Sequence, residues 1–368
     1  MFMNRRILIL FICLGIILTS FLLVYFLFKP KTVFISPNSL LKLEPLILDI
    51  KPISSEILFE EKDEVSLLFV GDIMLDRSVW LKTLQAEDYY HPFKNLDYFN
   101  NYDFRVGNLE GPITNFKSIA NGQGNNRLVF TFSKNFLEPL AQYFEVLNLA
   151  NNHTYNFGEV GLKETHNFLD EYNILYFGDP NNKKDFSIIL EKNNLKIGLV
   201  GYHELIGYGF ENLLMEIEKI KPEVDYLIVL PHWGIEYQTE KPSLKQITEA
   251  HKIIEVGGDL IIGSHPHVIQ PLEEYEGKLI FYSLGNFIFD QYFSQETQQG
   301  LNIEVYLKKE YNKLKVKLGF LPIEINALSQ PNLAKQELEK NILISLAELS
   351  NVSTSTKRAI LRGNLEIE

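Results

Sequence analysis

At 368 residues the chain is longer than one core usually accommodates, and its composition, 46% hydrophobic and 22% charged, is that of a folded protein. A formal net charge of -12 excludes a general nucleic-acid binder, which needs a basic surface against phosphates, and admits an anionic polymer only in a locally positive pocket. The one cysteine, Cys13, lies in an apolar run, which excludes an internal disulfide and a thiolate metal site; any metal must use His, Asp, Glu or Asn.

From Ile7 to Phe28 every residue is apolar or small and uncharged, enough to cross a hydrocarbon core of about 30 Å as a helix. Arg5 and Arg6 precede it, so residues 1–6 are expected in the cytoplasm, residues 7–28 in the cell membrane, and the rest outside. The run exceeds a signal-peptide core and no Ala-x-Ala-like site follows, which favours an anchor over a cleaved leader. Residues 29–63 carry Pro30, Pro37, Pro45 and Pro52 without sustained periodicity and read as a stalk. Residues 64–325 read as the domain. It opens on Val65-Ser66-Leu67-Leu68-Phe69-Val70, a buried-type strand ending at Gly71-Asp72.

That punctuation recurs. Val146 to Leu149 ends at Asn151-Asn152-His153, Tyr226 to Leu230 at Pro231-His232, Leu260 to Ile262 at Gly263-Ser264-His265, and Leu279 to Tyr282 at Ser283-Leu284-Gly285-Asn286. Helix-period segments over Glu159–Glu171, Glu211–Ile220 and Leu244–Val256 alternate with these strands, the last closed by Gly257-Gly258. The alternation predicts a largely parallel sheet with functional residues in loops at the carboxyl ends of its strands. Alternating runs over Gly300–Lys308 and Leu314–Ile323 predict an antiparallel hairpin, and residues 326–368 a peripheral helical tail.

His265-Pro266-His267 is the strongest local signal, because two imidazoles two apart in an extended loop can point at one centre while Pro266 stiffens the backbone. His232 follows another strand in the same layer. With carboxylates from Asp72 and Glu110 these form a nitrogen and oxygen set suited to Zn, Mn or Fe and too rich in nitrogen for a dedicated Ca or Mg cage. In Asn151-Asn152-His153 an Asn side-chain carbonyl can ligate a cation, and an adjacent unligated His can donate a proton to a leaving oxygen. Taken alone, Asn151-Asn152 and Gly107 to Pro112 are ordinary turn sequences; placement at strand ends gives them weight. His91, His166 and His251 read as core or surface histidines, and His203 follows the strand Leu195 to Val200.

The ordered series Gly71-Asp72-Ile73-Met74, Asn108-Leu109-Glu110-Gly111-Pro112, Asn148 to His153, His232 to Tyr237, Gly263 to Val268 and Tyr282 to Phe287 resembles the CapA (PgsA) family of poly-γ-glutamate capsule synthesis proteins. The resemblance covers roughly Val65 to Ile323, and that family is similar to calcineurin-like metallophosphoesterases. It implies an α/β fold, a four-layer α/β/β/α sandwich, with one or two divalent ions. Asp72 and His267 would hold one ion, Asn152, His232 and His265 the other, and Glu110 would bridge them. His153 would be the general acid, with Asn108, Glu236 and Asn286 behind the ligands. Two departures stand out: Met74 replaces the His of an Asp-x-His pair, and Asn156 replaces an Asp three residues after His153.

The implied role is a membrane protein making or exporting a capsule or poly-γ-glutamate-type polymer by metal-dependent hydrolysis or transfer. Polymer synthase or export subunits would be its partners, and an anionic polymer or phosphate-containing molecule its substrate. A non-catalytic assembly subunit and a general extracellular phosphodiesterase are the alternatives.

Overall fold

A computed structural model describes residues 64–120, 128–311 and 313–367. The anchor expected at 7–28 and the stalk at 29–63 lie outside the described residues. Among the described residues no helix is long and apolar enough to cross a membrane.

In chain order the strands are β1 (Glu64–Ile73), β2 (Phe104–Leu109), β3 (Ile113–Thr114), β4 (Phe132–Ser133), β5 (Val146–Asn148), β6 (Leu175–Phe177), β7 (Ser187–Lys192), β8 (Leu195–His203), β9 (Tyr226–His232), β10 (Leu260–Ile262), β11 (Leu272–Tyr275), β12 (Lys278–Phe281), β13 (Asn286–Ile288), β14 (Gln299–Glu310), β15 (Lys313–Ile325), β16 (Pro331–Leu333) and β17 (Asn364–Ile367). The helices are α1 (Arg77–Ala86), α2 (Leu137–Tyr143), α3 (Gly158–Glu171), α4 (Phe210–Ile220), α5 (Leu244–Glu255), α6 (Gln336–Leu349) and α7 (Thr354–Leu361).

The strands build two large sheets where the alternation of strands and helices alone predicts one. The first runs β16-β15-β14-β1-β2-β5-β6, with β13 on β1 and β17 on β15; the second runs β11-β12-β10-β9-β8-β7. β1, β2, β5 and β6 are mutually parallel, as are β8, β9, β10 and β12, so each sheet delivers several carboxyl ends to one edge. β1 shows why the sheets stack. Val65, Leu67 and Phe69 enter a core shared with Ile197, Leu199, Ile228 and Ile262 of the second sheet, while Leu68 and Val70 enter another with Leu137, Leu140 and Leu169 of the helices. A strand apolar on both faces must be covered on both. The outer face of the second sheet, including Val200, Leu227 and Val229, packs on Leu213 and Ile217 of α4 and Ile253 of α5. The layers therefore run helix, sheet, sheet, helix.

The hairpin forms as β14 and β15. α5 begins with a reciprocal capping box between Ser243 and Gln246. The C-terminal segment is tied in rather than peripheral: Leu343, Leu346 and Ala347 of α6 and Ile360 of α7 join the core between the sheets, and β17 pairs with β15. Strands as short as β16 and β17 carry too few residues for an alternating pattern to register.

Candidate metal centre

The carboxyl ends of the two sheets meet in a row of polar residues set by strand register. In the first sheet Asp72 lies between Asn286 of β13 and Asn108 of β2; in the second His232 lies beside His203 of β8 and bridges to Ser264. Close approach of the chain builds this row. A Cβ on Gly71 would stand 2.0 Å from the Gly285 carbonyl oxygen, and one on Gly263 would stand 2.2 Å from that of Tyr282.

Glu110 is the hub. It is fully buried, and neither carboxylate oxygen has a hydrogen-bond partner among the described residues. Three imidazole Nε2 atoms converge on its Oε1, from His267 at 3.7 Å, His153 at 3.8 Å and His232 at 3.9 Å. Two donors each about 2.1 Å from a common ion are at most about 4.2 Å apart, so these separations fit shared coordination. Glu110, His265 and His267 also offer ligand atoms within 4.8 Å of one another, and His265 Nδ1 is buried with no partner. A buried carboxylate costs several kcal/mol unless something positive meets it.

The electrostatics express the same demand. Burial pushes the Glu110 carboxyl well up, helped by Asp72 and opposed by His267. Burial alone would pull His267 down, but Glu110 and Asp72 outweigh it and hold the imidazole up at about 9. Its Nδ1 lies 3.2 Å from Asp72 Oδ2. His232 is pushed well below its usual range by burial and the other imidazoles, and His265 falls to about 3 for the same reasons. Neutral imidazole is the form that ligates metal.

Asparagines hold the set in place. Asn108 Nδ2 donates to Asp72 Oδ1 at 2.8 Å and lies 3.2 Å from His232 Nδ1, linking one sheet's carboxylate to the other sheet's imidazole. Asn151 in turn donates to Asn108 Oδ1 at 3.1 Å. Asn286 Oδ1 contacts His267 Nδ1 at 3.0 Å, and Asn152 Oδ1 lies 2.9 Å from His232 Nε2. Glu236, named with Asn108 and Asn286, sits instead on the exposed loop after β9, where only its charge reaches Glu110 and His267.

His265 and His267 depart from the expected extended loop. Their φ angles are 96° and 59°, in the left-handed region that side chains avoid at a cost of about 1–3 kcal/mol each. The turn still brings both rings to one centre from either side of Pro266. Of the remaining histidines, His203 is buried with its ring 6.3 Å from that of His232 and its Nδ1 2.8 Å from the Pro180 carbonyl. His166 stacks on Tyr176 and His251 on Tyr275, away from the cluster.

Both departures have visible partners. Met74 is fully buried, and its sulfur accepts from the Asp76 backbone N–H at 3.1 Å. Asn156 Oδ1 accepts from Phe130 N at 2.7 Å, which identifies it as oxygen, so the His153 Nδ1 at 3.2 Å must be the donor. His153 therefore presents Nε2 as an acceptor, and burial lowers its pKa to about 4. In this state it takes a proton before it can give one. Arg77 escaped the sequence reading, since its only signal is a place five residues beyond Asp72; its charge reaches both Glu110 and His153.

The sequence matches the model of a family described as "Bacterial capsule synthesis protein PGA_cap" over residues 66–291. It is 31% identical to "PGA biosynthesis protein CapA" of Bacillus subtilis, covering 78% of this chain and 79% of the relative. It is 30% identical to "Capsule biosynthesis protein CapA" of Bacillus anthracis, over 76% and 72%. Among solved structures, a "novel phosphatase" of Mycoplasma pneumoniae is 15% identical, covers 74% of this chain and 91% of its own, and has a TM-score of 0.41. At that score the likeness assigns neither a reaction nor a ligand set. The family match spans the strands that carry Asp72, Glu110, His232, His265 and His267, and the chain belongs to the bacterial capsule synthesis protein family PGA_cap.

Proposed function

We propose that the chain is a membrane-anchored extracytoplasmic protein of capsule or poly-γ-glutamate-type polymer biosynthesis or export, and that its domain is a metal-dependent hydrolase or transferase of the metallophosphoesterase type. The observation that carries the metal reading is Glu110, buried without a hydrogen bond and faced by three imidazole nitrogens within 3.9 Å. The names of the Bacillus relatives support the polymer, and Arg5, Arg6 and the apolar run from Ile7 to Phe28 support the anchor and its orientation.

Glu110 with His232, His265 and Asn152 would hold one ion, and with Asp72 and His267 a second. A divalent ion there supplies Lewis-acid polarisation of a substrate oxygen and offsets charge on it. Asn108 fixes Asp72 and His232 at once, Asn286 fixes the His267 ring, and His153 Nε2 receives a proton at the site's more exposed side. Zn, Mn and Fe all suit this donor set.

Full-length protein purified in detergent should contain Mn, Zn or Fe, and a His232→Ala, His265→Ala double variant should lose it; equal, near-zero metal in both would sink the metalloenzyme. A second reading, a non-catalytic assembly subunit contacting polymer synthase partners, is favoured by Met74, whose side chain is engaged away from the ligands. Wild-type polymer output from cells carrying His153→Ala, with metal retained, would select it.

A further inference from the structure

We infer that Arg77 is the anion-recognition residue of this site, its guanidinium taking an oxyanion of the substrate, a carboxylate or a phosphate, beside His153 and His267. The inference deepens the metal reading and takes its placement from that site.

Two aromatic rings position the guanidinium. Phe130 packs on His153 with centroids 4.2 Å apart, and Phe289 packs on His267 at 4.7 Å. Arg77 Cζ lies over both rings, 5.0 Å from the Phe130 centroid and 5.4 Å from that of Phe289. The cation is thus one ring away from each of two imidazoles that converge on Glu110, held by cation–π attraction to faces that restrict its swing.

The hydrogen-bond inventory leaves donors for a ligand. Nη2 donates to Asp290 Oδ1, while Asp290 Oδ2 accepts from Ser78 N at 2.9 Å, so part of the Asp290 charge already serves the backbone. Arg77 Nε is buried and has no partner among the described residues. A guanidinium offers five N–H donors in a planar fork matched to carboxylate or phosphate oxygens. One tether and a vacant donor are what an anchored but unsaturated fork looks like.

The backbone is bent to put it there. Arg77 has φ 51°, left-handed for a long side chain, at the first residue of α1. Asp76 holds the turn: its Oδ1 accepts from Arg77 N at 2.7 Å, and Oδ2 accepts from Thr131 N at 3.0 Å next to Phe130. In a chain of net charge -12, a fixed guanidinium beside the cluster supplies local positive potential for an anionic group.

The test uses full-length, Mn-loaded protein in detergent, with metal content measured on every sample. Calorimetry follows an oligomer of γ-linked glutamate, its fully amidated neutral counterpart, and inorganic phosphate. Arg77→Gln should weaken one anionic probe at least tenfold, leaving the amidated oligomer and the metal content unchanged; the probe that suffers identifies carboxylate or phosphate. Equal affinities for both anions in wild type and variant, equal loss for the amidated oligomer, or no binding of either anion by the wild type would overturn the inference. If Arg77→Gln does not fold, Arg77→Lys keeps a charge for Asp290 and the rings but lacks the fork, and it should still lose affinity several-fold; no loss overturns the inference. Wild type that takes up no Mn yet binds the anion through Arg77 would remove the metal reading and leave this one standing.

Discussion

The two ends of the parallel strands hold their acid groups differently. At the amino ends one carboxylate precedes each of four strands, and each is paired. Asp103 before β2 accepts from Ser66 N at 2.8 Å and meets Lys192, and Glu145 before β5 accepts from Arg105 N at 2.8 Å and pairs with its guanidinium. Asp225 before β9 accepts from Lys196 N at 2.8 Å and meets Lys309, and Asp259 before β10 accepts from Leu227 N at 2.9 Å and meets Lys221 and Lys278. In every case the backbone donor belongs to the neighbouring strand, so the acid locks strand to strand. At the carboxyl ends Asn108 holds Asp72, but Glu110 is deeper than any of the four and has no hydrogen bond among the described residues. The four amino-end pairs are explained by the fold alone; an unpaired buried acid is explained by what the fold is for.

The largest expected effect follows from Glu110. Glu110→Gln keeps shape and removes charge, and it should weaken divalent-metal affinity by at least 100-fold in a metal titration, while the thermal stability of metal-free protein does not fall. Asp259→Ala should do the reverse. It strands two lysines and a backbone N–H and should cost about 1–3 kcal/mol in denaturant unfolding, the lysines being partly solvated, with metal affinity unchanged. If Asp259→Ala cost metal and Glu110→Gln cost stability, the contrast would collapse.

Smaller effects sharpen it. Asn108→Ala and Asn286→Ala remove supports rather than ligands, and each should lower metal affinity by about 10–100-fold with modest loss of stability. The smallest effects are pH-dependent and of opposite sign. Burial raises Asp225, but Lys309 and the Lys196 N–H outweigh it and hold the carboxyl below its usual range. Its stabilisation is present above the unfolded pKa and lost as pH falls through the folded one, so Asp225→Asn should cost under about 1 kcal/mol near neutrality and nothing in strong acid. Glu249 of α5 is pushed by burial to about 7 from 4.5, only partly relieved by Lys245. A raised carboxyl destabilises once both states would ionise, so Glu249→Gln should gain about 1 kcal/mol near pH 8 and lose that gain near pH 4.

Much of the carboxyl end was legible because parallel strands deliver loop residues to one edge, and polar residues after an apolar run mark that edge. Asp72, Glu110, Asn152, His232, His265 and His267 could be named from that rule and the resemblance together. The second sheet was not legible from periodicity, because Leu67-Leu68-Phe69 reads the same whether its far face meets helices or another sheet. The left-handed turn at His265-Pro266-His267 is hidden in the sequence because positive φ at a non-glycine leaves no mark on composition. Arg77 stayed hidden for a related reason: its position depends on a left-handed turn and on Phe130 and Phe289, far apart in sequence. The asparagine network was visible only as turn composition, since which strand an amide faces is decided by register.

The central claim is that the carboxyl-end cluster holds a divalent ion through Glu110. Calorimetric titration of metal-stripped full-length protein with Mn in wild type, Glu110→Gln and Asp259→Ala tests it most directly. Saturable binding in the first and third with none in the second is the predicted result; binding of equal strength in Glu110→Gln, or none in wild type, would contradict it.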